Sequence, residues 1–252
     1  MSIKLKKKIS ENKLTIGVWS TVGHVQVVEA MLEDGAFDWL AVDLEHSEIG
    51  FEKLVQIINV CEKYKVATLV RLSSHNPIEG RKALDLGARG LIIPAVESAA
   101  QLSQLCKSFF YPPKGERGVC ISRMNGWGDK FDAYLKEFVP VIIPIIESVQ
   151  GAKNVNEIVN LPIVDAVFIG PYDLSASLGK PGDFESELFK TQLEQIKKSI
   201  LAAKKPVGIH VVTPSREVLK QRIAESFKFI AFGTDMVFVK NSAKAAEGLN
   251  ES

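Results

Sequence analysis

The sequence predicts an α/β fold, a closed (β/α)8 barrel. Three observations carry that prediction. Eight short apolar runs alternate with amphipathic stretches of helical period. The runs are apolar at consecutive positions and not at every second one, as strands are when helices cover both faces of a parallel sheet. The chain has 252 residues, close to the usual length of such a barrel. An open, doubly wound sheet would normally show a glycine-rich turn after its first strand. Here the first run leads into Ser20-Thr21-Val22-Gly23-His24, which is no such turn.

The expected strands are residues 14–20, 39–45, 67–73, 90–96, 141–147, 166–173, 207–212 and 229–235, each carrying Val, Ile, Phe or Leu in short clusters. Helical spacing of apolar residues places helices at 25–33, 51–64, 99–110, 152–160, 185–203 and 215–226. Residues 111–137 break the rhythm with Tyr111-Pro112-Pro113-Lys114-Gly115-Glu116-Arg117-Gly118 and then Arg123-Met124-Asn125-Gly126-Trp127, and they read as a long excursion with a short helix near 129–137. Excursions of this length in a compact domain are often functional. No low-complexity linker divides the chain, so the expectation is one barrel domain over residues 1–252.

Lys and Arg number 31 against 30 Asp and Glu, a net charge of +1, which supplies no field for nucleic acid or an acidic membrane. Hydrophobic residues at 46% and charged residues at 24% are ordinary for a globular protein and exclude collagen-like, coiled-coil and largely disordered chains. The basic start, Lys4 to Lys8, runs into polar Ser10-Glu11-Asn12-Lys13 and so does not read as a signal peptide. The most apolar run, 138–146, is too short to span a bilayer and contains Pro140 and Pro144. Cys61, Cys106 and Cys120 have no metal-ligand spacing, and a low, odd count reads as reduced thiols in a cytoplasmic protein.

In a parallel barrel, chemistry gathers at the C-terminal ends of the strands. The polar residues there are Asp43, Glu45 and His46 after the second run, Arg71 in the third, Glu147 in the fifth, Asp173 after the sixth, His210 in the seventh and Asp235 in the eighth. Lys65, Lys205 and Lys228 stand at the opposite edge. Glu147 and Asp173 end neighbouring strands, where two carboxylates can share one ion. Two carboxylates with water in the remaining positions suit Mg²⁺ or Mn²⁺. The alternative is that each caps the helix that follows it. Arg71 can pair with Glu147 or Asp43, or hold a substrate carboxylate or a developing oxyanion. His46, among carboxylates, is a candidate proton acceptor at neutral pH. No lysine occupies this edge, which favours metal-assisted chemistry over a Schiff base.

Taken together, Asp43-Leu44-Glu45-His46-Ser47, Arg71, Leu84-Asp85-Leu86-Gly87-Ala88, the Tyr111–Gly118 segment, Glu147-Ser148, Phe168-Ile169-Gly170-Pro171-Tyr172-Asp173-Leu174-Ser175 and Phe232-Gly233-Thr234-Asp235 resemble the HpcH/HpaI aldolases, the metal-dependent pyruvate aldolases. The resemblance runs from about Gly17 to Val239. It implies a barrel of the phosphoenolpyruvate/pyruvate type and the cleavage of 4-hydroxy-2-oxo acids such as 4-hydroxy-2-oxoheptanedioate or 2-keto-3-deoxy sugar acids. It implies Glu147 and Asp173 as ligands of Mg²⁺, Mn²⁺ or Co²⁺, His46 as the base and Arg71 as the transition-state stabiliser. Asp85 matches the acid that raises the histidine's basicity, a role Asp43 can also fill from nearer in sequence. Backbone amides of Tyr172 and Asp173 match the site that holds the pyruvyl carboxylate. The resemblance further implies a hexamer with C-terminal helices exchanged between subunits. Two positions depart from the family pattern. Ile145 stands where a substrate-contacting glutamine is common, and Tyr172 stands where a small residue is common.

The implied reaction is removal of the C4 hydroxyl proton, cleavage of the C3–C4 bond to an aldehyde and a pyruvate enolate, and protonation to pyruvate. Its partners are small molecules, a 2-oxo acid and an aldehyde. Two other readings use the same residues: a related lyase acting on acyl-CoA esters or oxaloacetate, and a 2-oxo-acid-binding barrel without turnover.

Overall fold

A computed structural model describes residues 2–244 and 246–247. Eight parallel strands close into a barrel in sequence order: β1 (Thr15–Ser20), β2 (Trp39–Asp43), β3 (Ala67–Arg71), β4 (Gly90–Ile93), β5 (Val141–Ile146), β6 (Val167–Ile169), β7 (Val207–Val211) and β8 (Phe227–Thr234), with β8 pairing back onto β1. The helices are α1 (Ser2–Ser10), α2 (Val25–Leu32), α3 (Phe51–Lys63), α4 (Pro77–Leu86), α5 (Ala99–Cys106), α6 (Phe131–Glu137), α7 (Val149–Lys153), α8 (Val155–Val159), α9 (Pro171–Ser177), α10 (Glu187–Ala202), α11 (Arg216–Ala224) and α12 (Asp235–Lys244).

Period-two alternation splits the apolar residues between two cores. On β2, Leu40 and Val42 face outward to the helices, while Trp39 and Ala41 face the barrel interior. On β5, Ile142 and Ile146 face outward, and Val141, Ile143 and Ile145 face inward. The interior is tightly filled. Trp39 stacks on Phe229 with centroids 4.3 Å apart, and a Cβ on Gly17 would meet the Trp39 ring at 2.0 Å. The lower end of this interior is covered by α1, whose Leu5 and Ile9 are buried in the same cluster. Lys6 of α1 bonds Asp165 and the Pro140 carbonyl, each at 2.9 Å.

The expected strands and helices are present, with differences that have local causes. The sixth strand is Val167–Ile169, shorter than 166–173, because Pro171 opens α9 from its first position and ends the ladder. Asp173 therefore sits in the first turn of a helix and not on a strand end. The expected helix at 99–110 becomes α5 followed by a 3₁₀ turn, Lys107–Phe109. The one expected at 152–160 is two short helices that meet at Asn154. Helix α4 lies where the apolar periodicity predicts none. Asn76 caps it, accepting from the Ile78 and Glu79 amides at 2.9 and 3.3 Å, and Pro77 opens it. The same holds for α1, whose lysines conceal the Leu5/Ile9 stripe. Among the described residues, no helix is long and apolar enough to cross a membrane.

Candidate active site

The same alternation that fills the barrel decides what stands at its mouth. Continuing the inward positions upward, Trp39–Ala41 leads to Asp43, Ala67–Leu69 to Arg71, Val141–Ile143–Ile145 to Glu147, and Gly208 to His210. Residues from different strands thus line one cavity of about 230 Å³, whose wall includes Trp19, Asp43, Arg71, Glu147, Asp173 and His210.

Asp43 and Arg71 are register partners across β2 and β3. Arg71 Nε donates to Asp43 Oδ1 at 3.0 Å, and Nη2 donates to Oδ2. Nη1 lies 3.1 Å from Glu45 Oε2. Asp43 also accepts from Trp19 Nε1 at 3.1 Å and from the Glu45 and His46 amides at 2.9 and 3.1 Å. Burial alone would push this carboxyl up, but the Arg71 bond and charge, with the amide and indole donors, hold it below the usual range. Trp19 is stacked on His210, centroids 5.2 Å apart, with the Arg71 guanidinium 5.3 Å from its ring centre. His210 Nε2 lies 3.2 Å from the Gly233 carbonyl oxygen, and burial pushes its imidazole down to about 4.

Glu147 follows β5 and lies beside Gly170, whose amide donates to the Ile146 carbonyl at 3.1 Å. Gly170 makes room for it: a Cβ there would meet Glu147 Oε2 at 2.7 Å. Glu147 Oε1 accepts the Ala95 amide at 2.5 Å, delivered from a residue at φ +48°. Burial pushes the Glu147 carboxyl up to about 7, and the Asp173 and Glu45 charges add to this against the Ala95 bond and Arg71. Glu45 is likewise raised, first by burial, with Asp43 and Asp173 adding to it against Arg71 and His46.

This donor set suits a divalent cation. Carboxylates crowd one side of the cavity, and a glycine cradle accommodates half-buried Glu147. Among the described residues no group of three or more His, Cys, Asp and Glu side chains is placed to hold a metal. Glu147 and Asp173 would supply two carboxylates and leave the remaining positions to water and substrate, the usual arrangement for Mg²⁺.

His46 stands apart from the cavity lining, at the rim. Its side chain is 68% exposed, with Nε2 at 3.7 Å from Glu45 Oε2. Asp43 binds the His46 backbone amide. Asp85 is on α4 and pairs with buried Arg117 at 2.6 Å, so within this chain it is joined to the 111–137 excursion. Asp235 is buried and structural. It accepts from Ser20 Oγ, from Thr21 through both its amide and its hydroxyl, and from the Val22 amide, all within 2.7–2.9 Å, tying β8 to the loop after β1. Ile145 and Tyr172 both line the cavity, the first buried and the second exposed against Phe184. Sequence reasoning missed Trp19, which inward parity on β1 would have revealed. It also missed the Ala95 amide, for which no sequence signal exists.

The HpcH/HpaI aldolase/citrate lyase family model matches residues 15–242. A 2-keto-3-deoxy-L-rhamnonate aldolase of Escherichia coli (strain K12) is 30% identical over 251 residues, covering 96% of this chain and 91% of that one. A crystal structure of an HpcH/HpaI aldolase/citrate lyase family protein from Burkholderia cenocepacia J2315 superposes with a TM-score of 0.91 at 26% identity, covering 99% of each chain. The HpcH/HpaI aldolase from Desulfitobacterium hafniense DCB-2 superposes with a TM-score of 0.88 at 26% identity, covering 98% of this chain and 97% of that one.

Proposed function

The chain belongs to the HpcH/HpaI aldolase/citrate lyase family and is a carbon–carbon lyase, and we propose that its reaction is the reversible cleavage of a 4-hydroxy-2-oxo acid to pyruvate and an aldehyde. The observation that carries this reading is the convergence of Arg71, Glu147 and Asp173 on one cavity wall, with no lysine among its lining residues.

Glu147 and Asp173 would hold a divalent ion, Mg²⁺, Mn²⁺ or Co²⁺, which when bound acts as a Lewis acid toward the substrate's keto group. The first turn of α9 leaves the Tyr172 and Asp173 amides without helical partners, ready for the substrate carboxylate. Arg71, braced by Asp43, offers fixed donors to the oxygen that gains charge as the C3–C4 bond breaks. His46, from the rim and through a bound water, takes the C4 hydroxyl proton. The freed O–H electrons form the aldehyde carbonyl, and the C3–C4 pair becomes the enolate of pyruvate, which a proton at C3 completes. Trp19, Ile145 and Phe168 keep water from that carbanion-like carbon. On the same family resemblance, the chain works as a cytoplasmic homohexamer, which light scattering of the purified protein would check.

The test is pyruvate release from a panel of 4-hydroxy-2-oxo acids, coupled to lactate dehydrogenase. Turnover should vanish with EDTA and return with Mn²⁺, Mg²⁺ or Co²⁺. Full activity in metal-free protein, or borohydride trapping of a pyruvate adduct, would overturn the reading.

A further inference from the structure

We infer that this site accepts, besides pyruvate, a 2-oxo acid with a hydroxyl at C3, and that His210 recognises that hydroxyl through Nδ1. The inference deepens the aldolase reading and rests on it. His210 is on β7 and lines the same cavity as Arg71, Glu147 and Asp173. Its Nε2 lies 3.2 Å from the Gly233 carbonyl oxygen, which can only accept, so Nε2 carries the ring hydrogen. With the imidazole pushed down to about 4 by burial, Nδ1 is a bare lone pair near neutral pH. The stack on Trp19, centroids 5.2 Å apart with 24° between the planes, holds the ring in place. Among the described residues Nδ1 has no hydrogen-bond partner.

A 2-oxo acid has a carboxylate and a keto oxygen to place, and both belong on one half of the barrel mouth. The carboxylate goes to the first turn of α9, after β6, and the keto oxygen to the side of Arg71 and Glu147, which close β3 and β5. C3 leaves the keto carbon on the side away from these groups and so faces the other half, formed by β7, β8 and β1. The lining there is His210, Thr234, Trp19 and Thr21. Three of their polar groups already have partners. Trp19 Nε1 donates to Asp43 at 3.1 Å, Thr21 Oγ1 donates to Asp235 at 2.7 Å, and Thr234 Oγ1 accepts the Val237 amide at 3.3 Å. His210 Nδ1 is left. An acceptor that loses water and gains no donor penalises the ligand that covers it. A hydroxyl at C3 supplies the donor, whereas a carboxylate at C3 would set its lone pairs against that of Nδ1. In the addition direction C3 of such an acid loses a proton to water. The electron pair left on C3 forms the bond to the aldehyde carbon, and the aldehyde oxygen takes a proton from His46. The product is a 3,4-dihydroxy-2-oxo acid, and cleavage runs the same steps backward.

The experiment compares hydroxypyruvate with 2-oxobutanoate, which match in size and differ at C3 by hydroxyl against methyl. Each is measured as a competitor of pyruvate methyl-proton exchange in D₂O, catalysed by the Mg²⁺-loaded protein. With exchange present, hydroxypyruvate should compete at a concentration about 10–100-fold lower than 2-oxobutanoate. His210→Leu puts an apolar side chain in place of the acceptor and should cut this ratio at least about tenfold. Hydroxypyruvate should also add to butanal and give the dihydroxy acid. Equal competition by the two acids in the wild type, preference for 2-oxobutanoate, no addition product from hydroxypyruvate, or an unchanged ratio in His210→Leu would overturn the inference while leaving the enolate chemistry intact. Absence of pyruvate exchange would overturn the aldolase reading and this inference with it.

Discussion

Asp43 and Arg71 face each other in register across β2 and β3, with Arg71 Nε donating to Asp43 Oδ1 at 3.0 Å. Asp43 is only 1% exposed, and its two oxygens receive Trp19 Nε1, the Glu45 and His46 amides, and two Arg71 nitrogens. A carboxylate so fully occupied is a brace. It holds the guanidinium plane toward the cavity and fixes the start of the loop that carries His46.

Arg71→Lys should therefore be a severe change. Lysine keeps the charge but cannot engage Asp43 and substrate through one planar fork. Both aldol cleavage and pyruvate proton exchange should fall by orders of magnitude. Asp43→Ala should cost about 3–5 kcal/mol of stability in urea titration, since it leaves a largely buried guanidinium without its partner. Wild-type exchange in Arg71→Lys would place Arg71 outside the chemistry.

His46→Ala should lower kcat for cleavage by about 10²–10⁴-fold, the usual worth of a general base. Because the ring stands at the rim, Mn²⁺ affinity and thermal stability should be unchanged. A variant that loses metal affinity instead would reassign His46 to the support of the cation site.

Burial pushes the Glu147 carboxyl up to about 7, so below that pH a cation must displace a proton to bind. Mn²⁺ affinity should rise with pH up to about 7 and level off above it, with a slope near tenfold per unit on the acid side. Glu147→Gln should lose both the affinity and the slope. Calorimetric titration of metal-free protein from pH 5.5 to 8 reads this directly, and a flat profile would remove Glu147 from the ligand set.

Gly170→Ala tests the cradle. The added Cβ would meet Glu147 Oε2 at 2.7 Å and Glu147 Cβ at 2.8 Å, so the carboxylate must move. Metal affinity should fall at least about tenfold, while strain costs only about 1–3 kcal/mol of stability. Unchanged affinity with a lowered Tm would show that the glycine serves packing alone.

His210 has its imidazole lowered from 6.5 to about 4 by burial, so the unfolded chain takes up this proton at a higher pH than the folded one. Its contribution is fully present above pH 6.5 and is lost as pH falls toward 4, by roughly 3 kcal/mol in total. Urea titrations at stepped pH should show this loss in the wild type and a shallower one in His210→Gln. Identical slopes would mean that His210 is solvated in the folded state.

Much of the barrel was legible because strand parity and helical period are local properties. Residues 39–45 and 141–147 read as strands from their apolar runs, and the polar residues closing them lie at the barrel mouth. The α4 helix carries one strong sequence signal, the Asn76-Pro77 cap, and a cap alone does not announce the helix behind it. The break at Asn154 was missed because two short helices with the same apolar side read as one period.

The sequence by itself determined that Arg71 and Glu147 close their strands at one edge of the barrel, since alternation fixes which side chains point inward and where each run stops; that Asp173 opens a helix and that His46 lies in the loop after β2 were decided by the fold. Tertiary structure alone decided how they are used. It paired Arg71 with Asp43 and Glu45, seated half-buried Glu147 beside Gly170 under the Ala95 amide, set Trp19 against both Arg71 and His210, and joined Asp85 to Arg117. The physical reason is range. Secondary structure follows from neighbours a few residues apart, whereas charge pairing and burial depend on groups brought together across the barrel from up to about two hundred positions away, as Trp19 and His210 are.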